Sequence, residues 1–160
     1  MVVGRAGNKR GTAAAEFAMV LPLFVMLILG IVDFGFYFFI QHTLQFATRE
    51  GTRLALTGQQ LTDGKGSFLS REASIVNTIK GYASVAVEPD KLNINIFQVG
   101  SDYSDPTDWN KQVNAGSPGA YMRVRTTYTY EFLTPVIGVF FGGNILVQAE
   151  STYRNELFDT

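Results

Sequence analysis

Few side chains in this sequence could perform acid, base or metal chemistry. The carboxylates Asp102, Asp105 and Asp108 are spaced like those of a calcium-binding loop, and His42 is the only histidine. An EF-hand loop also needs a glycine at its turn and a closing glutamate, whereas Pro106 interrupts this cluster. A single histidine is more often structural than a base or a ligand. We interpret the three aspartates as a solvated acidic turn, with an ion site as the alternative. We interpret His42 as a structural or interfacial histidine.

No other pattern indicates an enzyme. The chain lacks a phosphate-binding glycine loop and a nucleophile elbow, and it has no cysteine for a thiolate site or a disulfide. The sequence therefore predicts no catalytic site, no cofactor and no metal, and a fold that is held by packing alone.

Two carboxylates and a proline lie in or beside the longest apolar run. No polar side chain occurs over residues 17–32, and the run resumes over residues 34–40 after Asp33. Glu16, at its start, either extends to the cytoplasmic headgroups or meets a fixed positive charge, because a carboxylate facing lipid is costly. Asp33, near its far end, either finds water at the outer headgroups or contacts a buried partner in an assembly. Pro22 removes one helical hydrogen bond and loosens the helix locally.

The apolar run is long enough to cross a membrane. A helix rises about 1.5 Å per residue and needs about 20 residues to cross the hydrocarbon, which residues 17–40 supply. Arg5, Lys9 and Arg10 precede the run with no acidic residue before Glu16, so we expect a cytoplasmic leader and an exported remainder. Without these three basic residues the formal net charge falls from -1 to -4, which argues against nucleic acid as a partner.

Helical periodicity extends beyond the apolar run. It predicts one long helix that is apolar first, amphipathic later and ended by Gly58. A second helix is expected to begin after Ser70 as its N-cap and to end near residues 87–91. The predicted inward positions of the first helix are Leu44, Ala47, Leu54 and Ala55, and those of the second are Leu69, Ala73, Val76, Ile79 and Ala83.

After residue 90 the apolar period changes to two, which is typical of half-buried strands. The segments "KLNINIFQV", "YMRVRTTYTYEF" and "NILVQAESTYR" predict three strands, joined by a polar loop over residues 100–119 and an apolar, glycine-rich loop over residues 133–144. The predicted apolar face comprises Leu92, Ile94, Ile96, Met122, Val124, Tyr128, Tyr130, Ile145, Val147 and Ala149, with Arg123, Arg125, Thr127 and Thr129 on the opposite face.

These elements predict an α+β fold. A long N-terminal helix, transmembrane and then amphipathic, should carry a small extracytoplasmic head with one further helix and a three-stranded antiparallel sheet. Because the periodicities match, we expect the apolar face of the sheet to pack on the apolar face of the second helix.

Three hypotheses compete for the N-terminal leader. The apolar core is too long for a secretory signal peptide and lacks an obvious small-residue cleavage site. An uncleaved anchor fits the hydropathy but leaves Gly11 and Glu16 unexplained. The third hypothesis is a prepilin leader.

The residues around Gly11 carry a resemblance to a known family. "KRG" followed by "TAAAEFAMVLP" resembles the type IV prepilin signal, in which a basic leader ends in glycine and the fifth residue after the cut is glutamate. With "GIVDFG", "ATREGTRLAL", "LTPVIGVFFGG" and the terminal "STYRNE", the chain is similar to the TadE-like family of minor pilins or pseudopilins. The likeness touches both ends of the chain and is weakest over residues 59–119.

The resemblance implies a function in a Tad-type assembly, which is a type IVb pilus system related to type II secretion. It implies cleavage between Gly11 and Thr12 by a prepilin peptidase, after which Glu16 would meet the amino group of a neighbouring subunit. The implied partners are a Flp-type pilin, a TadF-like protein, the Tad inner-membrane assembly platform and the lipid bilayer. The protein would sit in the inner membrane as a single-pass protein, with its head in the periplasm or outside the cell.

The resulting domain prediction has three parts: a leader over residues 1–11, the long helix over residues 12–58, and the head over residues 59–160. The alternative function is an uncleaved, membrane-anchored binding or adhesion domain. In that case the polar loop over residues 100–119 would be the recognition loop.

Overall fold

The computed structural model describes residues 9–157, with side chains from residue 11 onward. The leader residue Arg5 and the side chains of Lys9 and Arg10, on which the predicted orientation depends, lie outside this part. The elements in chain order are α1 (Lys9–Leu56), α2 (Arg71–Ala83), β1 (Asn93–Gln98), β2 (Tyr121–Glu131), α3 (Pro135–Phe141) and β3 (Asn144–Arg154). The predicted α+β class is confirmed, and α3 is an element that the periodicity did not predict.

The chain forms two compact units. The first, here called the anchor unit, combines the N-terminal part of α1, up to Phe36, with Glu131–Asn144. The second, here called the head unit, comprises Tyr37–Tyr130 and the chain from Ile145 onward. The predicted domain bounds at residues 11 and 58 stay a prediction.

Helix α1 is one continuous helix of 48 residues. It begins at Lys9, before the predicted start, and ends at Leu56, with Gly58 in the left-handed region at φ 67°. Its C-terminal half is amphipathic as expected, since Leu44, Ala47 and Ala55 are buried.

Helix α2 begins as predicted and ends earlier. The Ser70 hydroxyl oxygen accepts a hydrogen bond from the Ala73 N–H at 3.1 Å, which makes Ser70 the N-cap. The helix ends at Ala83, residues 84–88 form a turn and an irregular segment, and a short 3-10 turn follows over Pro89–Lys91. The buried face consists of Ser74, Ile75, Ile79 and Ala83, whereas the predicted Leu69, Ala73 and Val76 are only half-buried.

The three strands form the predicted antiparallel sheet in the order β1-β2-β3. Strand β1 pairs with β2 in a register that sets Ile96 opposite Val124. The prediction was wrong for Ile145, which is exposed at the start of β3, and for Arg125, which is buried. The predicted apolar residues that are buried are Leu92, Ile96, Met122, Val124, Tyr130, Val147 and Ala149, whereas Ile94 and Tyr128 are half-buried.

Helix α1 contacts β2 and β3 directly. The Thr48 hydroxyl donates to the Thr126 hydroxyl oxygen at 3.0 Å, in the buried interior. Nearby, the Gln41 side-chain amide donates to the Gln148 carbonyl at 3.0 Å. Helix α1 therefore forms part of the cover that the amphipathic helices were expected to provide, whereas the specific packing prediction had named only α2.

Helices α1 and α2 pack closely because Gly51 has no side chain. A Cβ atom at this position would overlap the side chain of Ile79, which is completely buried. Glycine costs about 0.5 to 1 kcal/mol in a helix interior, and here it permits the close approach of the two helices.

The polar connection between β1 and β2 folds back onto the edge of β1. Ile96 donates its N–H to the Gln112 carbonyl at 3.1 Å and accepts from the Asn114 N–H at 2.9 Å, forming a short parallel bridge. The second half of the proposed recognition loop is thus part of the structure of the head.

Candidate processing and assembly site

The predicted processing residues lie in the first turns of α1. Gly11 and Thr12 follow the helix start at Lys9 and are exposed. Glu16, also exposed, lies four residues after Thr12 and therefore on the same helix face, about 6 Å further along the axis. The helix therefore sets Thr12 and Glu16 on one accessible face, whereas Gly11 is exposed one residue earlier and lies off that face.

The following segment of α1 is apolar on all sides. Every residue from 11 to 25 is exposed, and the helix continues through Pro22. Large apolar side chains with more than half of their surface exposed include Phe17, Met19, Leu23, Leu27 and Ile31. The helix is long and apolar enough to be a membrane anchor.

Asp33 is completely buried, in contrast to the predicted contact with headgroup water. Its carboxylate accepts hydrogen bonds from the Leu133 N–H at 2.6 Å, from the Thr134 N–H at 3.3 Å and from the Thr134 hydroxyl. The interfacial interpretation was therefore wrong. The partner of Asp33 lies in the same chain, at a separation of about 100 residues.

These donors lie at the N-terminus of α3. Thr134 is the N-cap and Pro135 the first helical residue, and the helix ends at Phe141 with Gly142 as its C-cap at φ 77°. The carboxylate satisfies the N–H groups of the N-cap and of the residue before it, and a negative charge is favourable at the N-terminal end of a helix. The segment starts with a threonine and a proline, and two glycines follow its last residue. This arrangement is typical of a helix and could have revealed α3 in the sequence.

An aromatic cluster completes the contact between α1 and α3. The ring of Phe34 packs edge-on against Phe132 and Phe141, with centroid distances of 6.3 and 5.4 Å. Gly30 lies one turn before Asp33, and a Cβ there would contact Ile137 at 3.7 Å. Apolar packing thus surrounds the hydrogen bonds of Asp33.

The acidic cluster between β1 and β2 is divided among separate contacts. Asp102 accepts from the Ser104 hydroxyl at 2.7 Å, which lowers the pKa of its carboxyl, and Asp108 accepts from the Gln112 amide at 2.7 Å. Asp105 instead forms ion pairs with Arg123 and Arg125, so the interpretation as a solvated turn was wrong for this residue. His42 is exposed.

Arg125 is the centre of a cluster that the strand pattern had assigned to the solvent face. Its guanidinium contacts Asp105 at 2.8 Å and Glu150 at 2.7 Å, and it lies over the Trp109 ring at 4.3 Å from the centroid. Burial opposes the charge, but hydrogen bonds to Glu150 and Asp105 outweigh it and raise the pKa of Arg125. The cluster attaches the polar connection between β1 and β2 to the strands β2 and β3. This contact is structural.

A long apolar helix with a small α+β head of three antiparallel strands is the architecture of pilin-like proteins. Residues 11–53 match the family described as TadE-like protein, which confirms the resemblance in the segment that contains Gly11, Glu16 and Asp33. No curated protein and no solved structure matches the chain.

Proposed function

We propose that this protein is a minor pilin or pseudopilin of a Tad-type assembly. The observation that carries the proposal is that the TadE-like segment coincides with the exposed apolar surface of α1. Such a surface requires lipid or other apolar helices around it. We infer a single-pass inner-membrane protein with a cytoplasmic N-terminus and an extracytoplasmic head, which enters a pilus-related structure.

Processing would occur between Gly11 and Thr12. A peptidase pocket closed around the residue before the cut can exclude any side chain larger than hydrogen. The cut would fall in the first turn of α1, where helices fray most readily, and glycine weakens that turn further. Leader residues 1–11 would thus be removed by a prepilin peptidase without disturbing the remainder of the helix.

Assembly would then use the new amino group of Thr12. In a bundle of staggered helices, the Glu16 carboxylate of one subunit can meet the Thr12 amine of another, so that neither charge is left alone in lipid. The pair need not add much net stability, because desolvation of two ions offsets most of their attraction. Its effect would be to fix the register, since apolar helices otherwise slide past one another. The neighbouring subunits would be Flp-type pilins or a TadF-like protein on the Tad platform.

Intersubunit crosslinking tests the assembly step. A photocrosslinking residue at Met19, which is 76% exposed, reports on neighbouring helices in cells that contain the complete system. We expect Glu16→Gln and Glu16→Leu to lose most intersubunit crosslinks while membrane insertion and cleavage remain nearly normal.

The matched control is Glu131→Gln, which removes an exposed carboxylate at the end of β2. This variant should crosslink like the wild type. Undiminished crosslinks in Glu16→Leu would show that Glu16 merely extends to the headgroups and has no role in assembly.

A further inference from the structure

We propose that the segment from Phe132 to Gly143, which contains α3, is a second membrane-contacting element that inserts into the outer leaflet beside α1. The inference goes beyond pilus assembly and rests on the proposed membrane span of α1. Its occupant is the lipid bilayer. Asp33 would hold the segment at a fixed depth.

The depth follows from the hydrogen bonds of Asp33. Asp33 lies 16 residues after Phe17 in a continuous helix, or about 24 Å along the axis, within a hydrocarbon core of about 30 Å. Leu133 and Thr134 are bonded to this carboxylate and must lie at the same depth. A span that begins near Phe17 therefore carries α3 into the outer part of the hydrocarbon.

The outer surface of the segment has the composition of a lipid-facing surface. Residues 132–143 contain no charged side chain. Val139 is 82% and Phe140 69% exposed, and further exposed apolar side chains are Leu133, Val136 and Phe141. In water, the exposure of so many apolar side chains on such a short segment would be unfavourable. In the bilayer, the same side chains continue the apolar surface of α1.

Several backbone groups at the two ends of the segment have hydrogen-bond partners within the chain and do not depend on water. Asp33 satisfies two N–H groups at its start, and Pro135 has no N–H to satisfy. At its end the Gly143 N–H donates to the Gly138 carbonyl at 2.7 Å, and the Phe132 N–H donates to the Gly143 carbonyl at 3.4 Å. Non-helical backbone at membrane depth needs such internal partners, because lipid offers none.

Single nitroxide labels test the insertion, and the absence of cysteine makes unique labelling straightforward. The full chain would be labelled at Val139→Cys and reconstituted in vesicles of phosphatidylethanolamine and phosphatidylglycerol. Collisions with oxygen report lipid exposure, and collisions with an aqueous nickel complex report water exposure. Ile28→Cys in the apolar part of α1 is the lipid reference. Val113→Cys is a matched valine in the polar connection, where Val113 is 49% exposed.

We expect the Val139 label, like the Ile28 label, to show several-fold more oxygen than nickel collisions relative to Val113. A Val139 label that matches Val113, while Ile28 remains in lipid, would overturn the inference and leave the proposed function intact. Protection of Val139 from both probes would also overturn it, in favour of contact with a second protein chain. If Ile28 were itself accessible to nickel, the spanning helix and this inference would both be wrong.

Discussion

At the scale of single residues, the buried polar groups among the described residues differ in whether hydrogen bonds or ion pairs offset the cost of burying them. Asp33 has three donors and Arg125 has two carboxylates, so each charge is compensated. The hydroxyl of Tyr153 is buried and finds no hydrogen-bond partner among the described residues. Since an unsatisfied buried hydroxyl costs about 1 to 3 kcal/mol, the burial of the Tyr153 hydroxyl is not compensated by a hydrogen bond within the described residues.

The Tyr153→Phe variant should stabilise the head and change its response to alkaline pH. Burial raises the pKa of Tyr153 from 10.0 to about 12, with nearby Glu72 raising it and Arg71 lowering it. The folded state therefore keeps its proton when the unfolded state has lost it, and the free energy of unfolding falls as pH rises from about 10 to 12. The total loss is about 3 kcal/mol, of which about 1 kcal/mol has occurred at pH 11.

Urea unfolding followed by Trp109 fluorescence measures this difference. At pH 8 the variant should be about 1 kcal/mol more stable, and between pH 8 and 11 it should lose about 1 kcal/mol less than the wild type. Equal losses in the two proteins would mean that Tyr153 titrates at its ordinary pKa in the folded head.

Arg125→Lys should weaken the attachment of the polar connection. Lysine keeps the charge but loses the planar contact with Trp109 and the paired hydrogen bonds to Glu150. We expect the free energy of unfolding to fall by about 1 to 3 kcal/mol. The matched control is Arg53→Lys, at a side chain that is 76% exposed in a pair with Glu50, where a change below about 0.5 kcal/mol is expected. Equal effects of the two substitutions would show that the Arg125 cluster is only a surface ion pair.

At the scale of elements, α3 depends on a contact that local sequence cannot show. Its seven residues are too few for a stable isolated helix, and its N-terminus is satisfied by a carboxylate about 100 residues earlier. Asp33→Leu leaves the donors of Leu133 and Thr134 without this acceptor. Asp33→Asn keeps one carbonyl oxygen and should have an intermediate effect.

Amide hydrogen exchange over residues 133–141 measures the stability of α3 in these variants. Hydrogen bonds to a charged group contribute about 1.5 to 3 kcal/mol, so exchange in Asp33→Leu should accelerate by about tenfold to a hundredfold. The amides of α2, in the head unit, serve as the control and should change little. Unchanged exchange in α3 would show that the aromatic cluster around Phe34 suffices to hold it.

The sequence predicts the elements that have strong periodicity or clear caps. Helix α1, the Ser70 cap and the three strands follow from spacing alone, because each depends on neighbours within a few residues. Thr126 was not assigned to the interior because its polar side chain breaks the alternation, and only its bond to Thr48 makes that position favourable. The true partners of Asp33 and Arg125 could not be predicted from local spacing either, because they lie far along the chain.

At the scale of the whole molecule, the two compact units differ in how much apolar surface they expose. The anchor unit exposes apolar side chains along α1 and α3, whereas the head unit contains the buried core of the sheet. The TadE-like match lies in residues 11–53 and stops before the strands, so the likeness of "LTPVIGVFFGG" and "STYRNE" to the family remains a prediction. What the family match supports most directly is the behaviour of the N-terminal segment.

The intact mass of the protein, extracted from membranes of cells that also contain a prepilin peptidase, is the most direct test of the proposed function. We expect the wild-type chain to begin at Thr12, and the Gly11→Leu variant to retain residues 1–11, because a leucine cannot enter a pocket shaped for glycine. Normal membrane recovery of both proteins is the control for insertion. A wild-type protein that keeps residues 1–11, with the same N-terminus as Gly11→Leu, would contradict the pilin proposal and favour an uncleaved membrane-anchored binding domain.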